Sequence, residues 1–354
     1  MKKVLITYAS YGMGHVKAAS NLGQMINSDF DVTYLNLSKY AHPFLENIII
    51  KISTTMVTYL PFLYKMIYYN ATYRSYRLVK RFYGNKKVAK KIIRINPDIV
   101  IATHFMSEAA LVYLKKKYHL NYKICFLLTD YHVNNYVVKP LNKIDKYFVA
   151  TNELKKECLK LGIKNNHICV SSIPVSTKFN QKLSRHSLLK KYNLSQNKKT
   201  ILYVCGGMGI VKNLYYLKKL LSLNYNFQFI FVAGKNKRLK NKVTKIVDKY
   251  NKKGIVLGFT DKMNELIFLS DLVIGKSGGL ITSECIKTKR FMVVISPIIG
   301  QESENAHYLE KNNLGIYIKD KNEFDAKINY LLKHNNKPNK TIIKYRYKEE
   351  LNKL

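Results

Sequence analysis

The sequence predicts an α/β protein with two doubly wound parallel sheets, and three observations carry that prediction. The chain has 354 residues, which suits two domains of ordinary size better than one. Of these residues 47% are hydrophobic, so each domain can bury a core of its own. Short apolar runs alternate with longer polar or amphipathic stretches in two successive series, which is typical of parallel sheets with crossover helices.

The two series of predicted strands are separated by Ile173-Pro174-Val175 and a polar stretch. The first series is 4–8, 32–35, 99–102, 123–128, 147–150 and 168–171, and the second is 200–204, 229–233, 255–257, 272–274 and 291–295. We therefore expect domains at 1–177 and 178–335 with a cleft between them. The polar, lysine-rich segment 336–354 is predicted to be a C-terminal helix or tail.

Charge is the dominant feature of the composition. The chain has 61 Lys and Arg against 22 Asp and Glu, a formal charge of +39. Such an excess attracts polyanions, namely nucleic acid, an anionic membrane or a phosphorylated substrate, although biased base composition of the gene is an alternative source of the lysines. No nucleic-acid-binding motif is found and the basic residues are not confined to one module, so no nucleic-acid partner is expected. Oligomeric state is not predicted.

The cysteine pattern predicts reduced, mostly buried thiols in a cytoplasmic protein, because the five cysteines show no CxxC and no paired spacing. No Cys/His cluster has ligand spacing, so neither a metal nor another cofactor is expected. No signal peptide precedes the first strand, and the apolar stretch 44–69 is interrupted by charged residues and a proline. We expect a soluble or peripheral protein.

A short glycine loop, Tyr11-Gly12-Met13-Gly14-His15, follows the first strand and opens a helix predicted at 16–26. Glycine lets the backbone approach a ligand closely, and a helix start offers N–H groups with a positive dipole end. A dinucleotide-binding fingerprint needs a third glycine, which is missing. His15, whose ordinary pKa is near 6.5, is a candidate base, and a capping or structural histidine is the alternative.

Two further loops follow strands of the second series. Lys276-Ser277-Gly278-Gly279 can offer N–H groups to a diphosphate, and Glu284 can accept bonds from two ribose hydroxyls. An ordinary acid near a helix N-terminus is the alternative for Glu284. The segment Gly300-Gln301-Glu302-Ser303-Glu304-Asn305 supplies both donors and acceptors, as the hydroxyls of a sugar require.

In this order and spacing, the three loops resemble those of the family that makes monogalactosyl- and glucosyl-diacylglycerols. The likeness is especially close to the bacterial processive diacylglycerol glucosyltransferases, relatives of the N-acetylglucosaminyltransferase that completes lipid II. It runs from the first strand to about residue 335. Further segments that carry it are Asn96-Pro97-Asp98, Thr129-Asp130, 146–151, Ile173-Pro174 and Leu257-Gly258-Phe259. Two loops depart from the family pattern, Lys276-Ser277-Gly278-Gly279 and Cys205-Gly206-Gly207-Met208-Gly209.

The resemblance implies a GT-B fold with two Rossmann-like domains, the first for a lipid acceptor and the membrane and the second for UDP-sugar. It implies inverting transfer of glucose or galactose from UDP-sugar to diacylglycerol or glycosyl-diacylglycerol, without a metal. The enzyme would bind peripherally to the inner face of the cell membrane. The implied donor-binding residues are Phe259 and Thr260 at the uracil, Glu284 at the ribose, Gly206, Gly207, Lys276, Ser277, Gly278 and Gly279 at the diphosphate, Gln301, Glu302 and Asn305 at the hexose, and Gly14 from the first loop.

Two residues are candidates for the base that takes the proton of the acceptor hydroxyl. His15 is the first choice, and Asp130 is the second unless it orients His15 or the acceptor. Main-chain N–H groups and Lys276 are expected to stabilise the departing UDP.

A basic, aromatic segment follows the apolar stretch and is predicted to bind an anionic membrane surface. An amphipathic core helix with a solvated basic face is the alternative. The residues predicted to meet the membrane are Arg74, Arg77, Lys80, Arg81, Lys86 and Lys87.

Three other functions remain open at this point. A transferase of the same fold would act on another lipid-linked acceptor, such as an undecaprenyl-linked sugar, with the same donor half. A non-enzymatic polyanion-binding protein would explain the charge. A nucleotide-sugar sensor would bind the donor without turnover.

Overall fold

The computed structural model describes residues 1–70, 73–133, 143–211, 213–250, 252–334, 338–339, 341 and 343–354, and for 73–75 the backbone alone. The chain forms two compact units, Met1–Thr177 with Ile342–Leu354, and Lys178–Thr341. Each unit contains a six-stranded sheet whose strands all run parallel, with helices in the connections. The α/β class expected from the alternating apolar runs is confirmed.

The first unit has the strand order β2-β1-β3-β4-β5-β6. Its inner strands β1, β3, β4 and β5 are buried along most of their length because the crossover helices cover the sheet, which explains the continuous apolar runs in the sequence. The edge strand β2 is mostly exposed or half-buried. The elements are β1 (Lys3–Tyr8), α1 (Met13–Ile26), β2 (Asp31–Asn36), α2 (Leu37–Ala41), α3 (Pro43–Tyr59), α4 (Pro61–Asn70), α5 (Tyr73–Tyr83), α6 (Lys86–Ile95), β3 (Ile99–Ala102), α7 (Phe105–Lys117), β4 (Lys123–Leu127), β5 (Lys146–Val149), α8 (Asn152–Lys160) and β6 (Ile168–Val170).

The second unit has the strand order β12-β11-β10-β7-β8-β9. The edge strand β12 is absent from the predicted series, because it spans three residues and its Gly-Ile-Tyr sequence is too short to show a period. The elements are α9 (Arg185–Lys191), β7 (Lys199–Val204), α10 (Tyr215–Ser222), β8 (Phe227–Val232), α11 (Lys237–Val247), β9 (Gly254–Leu257), α12 (Met263–Leu269), β10 (Leu272–Gly275), α13 (Gly279–Lys287), β11 (Met292–Val294), α14 (Gln301–Lys311), β12 (Gly315–Tyr317) and α15 (Phe324–Lys333).

Each sheet reverses its direction of winding at one place. In the first unit β1 lies between β2 and β3, and in the second unit β7 lies between β8 and β10. In open parallel sheets, ligands bind outside the carboxyl ends of the strands at such a switch point. The topology therefore selects the loops after β1 and β3 in one unit, and those after β7 and β10 in the other.

The C-terminal segment returns to the first unit and ends in α16 (Tyr347–Asn352). Tyr347 is fully buried in the core of that unit, its ring 4.9 Å from that of Phe148 and its hydroxyl donating to the Ser172 carbonyl at 2.7 Å. The lysines that surround this helix in the sequence hid the buried pair Tyr347 and Leu351.

Candidate functional site

His15 lies at the switch point of the first unit, where its ring is held by the end of β3. Its helix α1 begins at Met13, earlier than the 16–26 predicted, so Gly14 and His15 both belong to the first turn. His15 Nδ1 is 2.8 Å from the Thr103 carbonyl oxygen and 2.9 Å from Thr129 Oγ1. A carbonyl oxygen only accepts, so Nδ1 carries the proton and Nε2 carries the lone pair of the neutral ring.

The surroundings of His15 keep the ring neutral. Burial lowers the pKa of His15 below its ordinary value, and the negative charge of Asp130 and the bond to the Thr103 carbonyl oppose that shift. A histidine with a lowered pKa is unprotonated at neutral pH and can accept a proton. Asp130 is close enough for its charge to raise the pKa of His15, and its role as the second candidate base or as an orienting residue stays a prediction.

His104 belongs to the same cluster and was missed in the sequence. It caps α7, its Nδ1 accepting from the Met106 N–H at 3.2 Å, and its ring meets that of His15 edge to face with centroids 4.7 Å apart. Burial, and after it the neighbouring His15, lowers the pKa of His104 well below its ordinary value. The available signal was its position directly after β3, equivalent to the loop after β1.

The backbone beside His15 is open. Gly12 has a φ of +121°, a conformation that side chains rarely adopt, so glycine is required there for its backbone. A Cβ added at Gly14 would meet no described atom within 4 Å. Packing therefore does not demand glycine at position 14, whereas close approach of a ligand to the backbone would.

In the second unit, the loops after β7 and β8 interlock through glycines. A Cβ at Gly209 would lie 2.0 Å from the Ala233 carbonyl oxygen, and one at Gly234 would lie 2.4 Å from that of Gly206. Asn236 caps α11 and also donates to the Gly209 carbonyl at 3.0 Å. Gly206 has a φ of +74°, and a Cβ added there would meet no described atom within 4 Å. The loop after β7 is therefore held by its contacts with the loop after β8, while the space beside Gly206 is free for a ligand.

The loop after β10 is tied to the start of α14. Ser277 Oγ donates to the Glu302 carbonyl at 2.6 Å, and Asn305 Nδ2 donates to the Ser277 carbonyl at 2.9 Å. The Glu302 carboxylate accepts from the Ile298 N–H at 2.7 Å. Three residues expected to contact diphosphate or hexose directly, Ser277, Glu302 and Asn305, are thus used at least in part to hold these two loops together.

Asn305 is the clearest change from the expectation. Its side chain is fully buried, which suits a group that positions the Ser277 loop and not one that faces a hexose. Gln301 lies beside it at the start of α14, half-buried, and stays a candidate for the hexose. The sequence could not separate these roles, because both asparagine and glutamine supply the same amide chemistry.

The other predicted donor residues lie at the same edge of the second sheet. Gly278 precedes the first turn of α13, and Gly279 begins it, so main-chain N–H groups of the helix start are available there. Lys276 lies near Cys205, where its positive charge opposes the effect of burial on the thiol pKa, so the loops after β7 and β10 meet. Glu284 lies in the second turn of α13 and is nearly buried.

Phe259 follows β9 and presents its ring to solvent. Its side chain is 47% exposed, and the Lys235 ammonium lies 5.5 Å from the ring centroid. The Gly207 carbonyl accepts from the main-chain N–H of Lys235 at 3.0 Å, so the loop after β7 contacts the residue whose ammonium lies beside Phe259. Thr260 Oγ1 accepts from the Lys262 N–H at 3.0 Å. An exposed aromatic face suits stacking of a flat ring, and the neighbouring ammonium suits an anionic group on the same ligand.

The segment 43–70 forms two helices with exposed apolar faces, which we call the α3–α4 surface. Of the described residues of α3 only Glu46 is buried, and the described residues of α4 bury no side chain. Its most exposed members are Phe44 at 87% and Phe62 at 74%. The other large exposed side chains are Leu45, Ile48, Ile52, Tyr59, Leu60, Leu63, Met66, Ile67 and Tyr69.

Basic side chains accompany this surface on α5 and α6. Arg77, Arg81, Lys86 and Lys87 are exposed and Lys80 is half-buried, whereas the side chain of Arg74 lies outside the described residues. The helix α6 also buries Val88, Ala89 and Ile92, as an amphipathic core helix does, and membrane binding by its basic face stays a prediction. Within the described part of the chain, no helix is long and apolar enough to cross a bilayer.

The five cysteines are all buried and free, as expected. Among the described residues, no three His, Cys, Asp or Glu side chains lie close enough to hold a metal ion.

Comparisons with known proteins identify the family of the chain. The family model of monogalactosyldiacylglycerol (MGDG) synthase matches residues 15–175, and that of the glycosyltransferase family 28 C-terminal domain matches residues 200–353. The chain is 31% identical over 335 residues to a processive diacylglycerol β-glucosyltransferase of Bacillus cereus, covering 93% of this chain and 85% of the relative. The corresponding protein of Staphylococcus epidermidis is 29% identical over 320 residues, 89% of this chain and 80% of the relative.

Solved structures match at the level of the fold. MurG of Acinetobacter baumannii superimposes with a TM-score of 0.63 at 13% identity, covering 99% of this chain and 98% of that protein. Anabaena HepE in complex with UDP-glucose gives 0.55 at 12% identity, with 93% and 89% covered. The two Rossmann-like units are those of the GT-B fold, and the resemblance read from the sequence is confirmed. The chain belongs to the family of processive diacylglycerol β-glucosyltransferases.

Proposed function

We propose that this protein transfers glucose from UDP-glucose to diacylglycerol, with inversion at the anomeric carbon. The observation that carries the proposal is the position of the glycine loops, which lie at the carboxyl ends of the strands at both switch points. Family membership supplies the class of donor and acceptor. The names of the relatives favour glucose over galactose, the two donors that the sequence left open.

The second unit is proposed to hold the donor. The Phe259 ring would stack on the uracil, and Glu284 would accept from the ribose hydroxyls. Main-chain N–H groups at Gly206, Gly207, Gly278 and Gly279, with Lys276, would neutralise the diphosphate. Gln301 would contact the hexose, while Ser277, Glu302 and Asn305 hold the two loops in register.

The first unit is proposed to supply the base. The acceptor hydroxyl oxygen bonds to the anomeric carbon as the bond from that carbon to the UDP oxygen breaks, and the hydroxyl proton passes to His15 Nε2. The Thr103 carbonyl fixes the tautomer that this transfer needs. Asp130 stabilises the protonated ring through its charge. Gly14 and the start of α1 favour the negative charge that leaves with UDP.

Membrane binding is part of the proposal, since a diacylglycerol acceptor lies in a bilayer. The exposed apolar side chains of the α3–α4 surface would enter the interface, and Arg77, Arg81, Lys86 and Lys87 would meet anionic headgroups. Each basic residue near an anionic leaflet contributes about 1 kcal/mol. The proposed location is the inner face of the cell membrane.

The deciding experiment supplies diacylglycerol in vesicles with UDP-glucose and UDP-galactose in separate reactions, and resolves the products by mass. We expect glucosyl-diacylglycerol first and diglucosyl-diacylglycerol later, if transfer is repeated on the first product. We also propose that no resident metal takes part, so a chelator such as EDTA should leave the rate within about twofold. A further reaction supplies an undecaprenyl-linked sugar as the acceptor, and product there with none from diacylglycerol would overturn the proposal.

A further inference from the structure

Glu46 is a buried carboxylate on a helix whose other described residues are exposed or half-buried. It is 4% accessible, whereas Phe44 and Ile48 on the same helix are 87% and 54% exposed. A charged side chain is seldom buried unless it is paired or hydrogen-bonded, because burial removes its hydration. The helix α3 therefore turns its acid inward while several of its apolar side chains face outward.

The Glu46 carboxylate is linked to the loop after β1 through one serine. Ser38 Oγ on α2 lies 2.6 Å from Glu46 Oε1 and 3.1 Å from Asn36 Oδ1, and its single proton is assigned to the closer acceptor, Glu46. The same Oγ accepts from the Ser10 N–H at 3.3 Å. Ser10 Oγ accepts from Asn36 Nδ2 at 2.5 Å. The Ser10 N–H is thus held by Ser38 of α2, and Ser10 Oγ is held by Asn36, the N-cap of that helix. Glu46 fixes the orientation of the Ser38 hydroxyl, on which the bond from the Ser10 N–H depends.

The residue after Ser10 is held from the same side. The hydroxyl oxygens of Tyr11 and Tyr83 are 2.6 Å apart, which ties the loop to the end of α5. Burial raises the pKa of both tyrosines, and the negative charge of Glu46 adds to the rise. The carboxylate therefore lies close to this pair as well as to Ser38.

The loop held in this way leads directly to His15. The Gly12 N–H donates to the Ser10 carbonyl at 2.8 Å, so the turn at Gly12 is built on Ser10. Helix α1 then begins at Met13, and the His15 ring is fixed separately by Thr103 and Thr129. The backbone of the loop and the ring of the base are anchored by two independent sets of bonds.

We propose that Glu46 is a positioning residue, which holds the Ser10–Gly12 turn through Ser38 and thereby links the exposed helix α3 to the backbone beside His15. The role assigned to His15 rests on the proposed function, but the anchoring of the turn does not. A misplacement of about 1 Å near reacting atoms can cost 10²-fold in rate, so loss of the anchor should be visible in turnover.

The first test compares Glu46→Ala with Glu46→Gln and Ser38→Ala. The amide oxygen of Gln can still accept from Ser38, so its kcat should stay within about threefold of wild type. Glu46→Ala and Ser38→Ala should each lower kcat about tenfold to a hundredfold with the KM for UDP-glucose within about twofold. The matched control is Ser53→Ala, which removes a hydroxyl of α3 that donates within its own helix, to the Ile49 carbonyl at 2.6 Å.

The second test measures hydrogen exchange of the Ser10–His15 amides and does not depend on activity. Exchange should become about tenfold faster or more in Glu46→Ala and Ser38→Ala, and should be unchanged in Glu46→Gln and Ser53→Ala. If wild type transfers no glucose, the proposed function fails while this arm still decides the inference. If Glu46→Ala does not fold, Ser38→Ala decides in its place. The inference would be overturned if the Ser10–His15 amides of Ser38→Ala exchanged as slowly as those of wild type. It would also be overturned if Glu46→Gln and Glu46→Ala lowered kcat and protection from exchange equally.

Discussion

The Nδ1 atom of His15 lies 2.8 Å from the main-chain carbonyl oxygen of Thr103, so the end of β3 fixes the tautomer of the histidine that follows β1. The carbonyl cannot donate, and the ring must therefore present Nε2 as its basic nitrogen. The sequence identified His15 as the candidate base. The orientation of its ring depends on the pairing of β1 with β3, in which Val4 lies opposite Ile99, 95 positions further along the chain.

Replacing His15 by Ala should lower kcat about 10²- to 10⁴-fold, the usual contribution of a general base. The dissociation constant of UDP should stay within about twofold, since the donor is assigned to the other unit. Initial rates and calorimetric titration with UDP measure the two quantities. His186→Ala, which removes an exposed histidine of the second unit, is the control. Turnover within a fewfold of wild type would remove His15 from the mechanism.

Replacing Asp130 by Asn should shift the acid limb of the kcat/KM profile to lower pH. The negative charge of Asp130 raises the pKa of His15 against the effect of burial, so its removal lowers that pKa further. The rate at neutral pH should fall less than in His15→Ala. If Asp130 were the base itself, the variant would instead lose activity at every pH to the extent of the His15 variant.

Glu108 gives a prediction about stability. It is fully buried in the first turn of α7, and neither carboxylate oxygen has a hydrogen-bond partner among the described residues. Burial raises its pKa well above the ordinary value, so the folded chain keeps a proton that the unfolded chain releases as pH rises. Below the ordinary pKa of a glutamate, Glu108 is protonated in both the folded and the unfolded chain, and the protein has its full stability. As pH rises towards the raised pKa of Glu108 in the folded chain, ionisation of the unfolded chain progressively lowers the free energy of unfolding.

Glu108→Gln should therefore unfold at a higher temperature than wild type at pH 7 and at the same temperature near pH 4. Each kilocalorie per mole gained raises the melting temperature of a unit of this size by about 2–4 °C. Calorimetric scans at the two pH values measure the difference. Glu349→Gln, which changes an exposed acid of α16, should show no such pH dependence. A variant that is less stable than wild type at pH 7 would show that the carboxylate is ionised and paired.

Phe259→Ser should weaken UDP binding about tenfold or more, because stacking of a base on an aromatic ring contributes about 1–3 kcal/mol. The loss should be similar for uridine and UDP, since the ring is assigned to the base and not to the diphosphate. Tyr330→Ser, which removes another exposed aromatic ring of the second unit, is the control. Unchanged affinity for both ligands would place the uracil elsewhere.

Phe62→Ser should weaken binding to vesicles that contain anionic lipid. Burial of a phenylalanine side chain contributes about 1.5–3 kcal/mol, which corresponds to roughly a tenfold to a hundredfold lower partition coefficient. Co-sedimentation with vesicles measures it, and Leu159→Ser, at an exposed site on α8, is the matched control. Equal loss in the control, or no loss in Phe62→Ser, would contradict the role of the α3–α4 surface.

The fold was predictable because strands buried on both faces are continuous apolar runs. The predicted run at 99–102 and the strand β3 coincide. Short or exposed features were not predictable. The edge strand β12 is too short to show a period, and Tyr347 of α16 is surrounded in sequence by lysines and glutamates although it belongs to a core.

The parts of the candidate site that depend on backbone conformation were predictable from the sequence, whereas the roles of individual side chains were less so. Gly12 and Gly206 adopt positive φ, and their loops stand directly after strands, which the sequence displays. The burial of Asn305 depends on its contact with Ser277, and the inward orientation of Glu46 depends on its contact with Ser38. Both contacts join residues of different elements, so no pattern within one element of the sequence displays them. His104 could not be predicted from the sequence, because a single histidine after a strand forms no motif of defined spacing with other functional residues.

The measurement that tests the central claim most directly is transfer of radiolabelled glucose from UDP-glucose to diacylglycerol in anionic vesicles, with UDP-galactose in a parallel reaction. The account predicts glucosyl-diacylglycerol as the main product, formed by wild type and reduced at least about a hundredfold in His15→Ala. Labelled lipid that forms only from UDP-galactose would contradict the donor, and UDP binding without any labelled lipid would contradict the transferase itself.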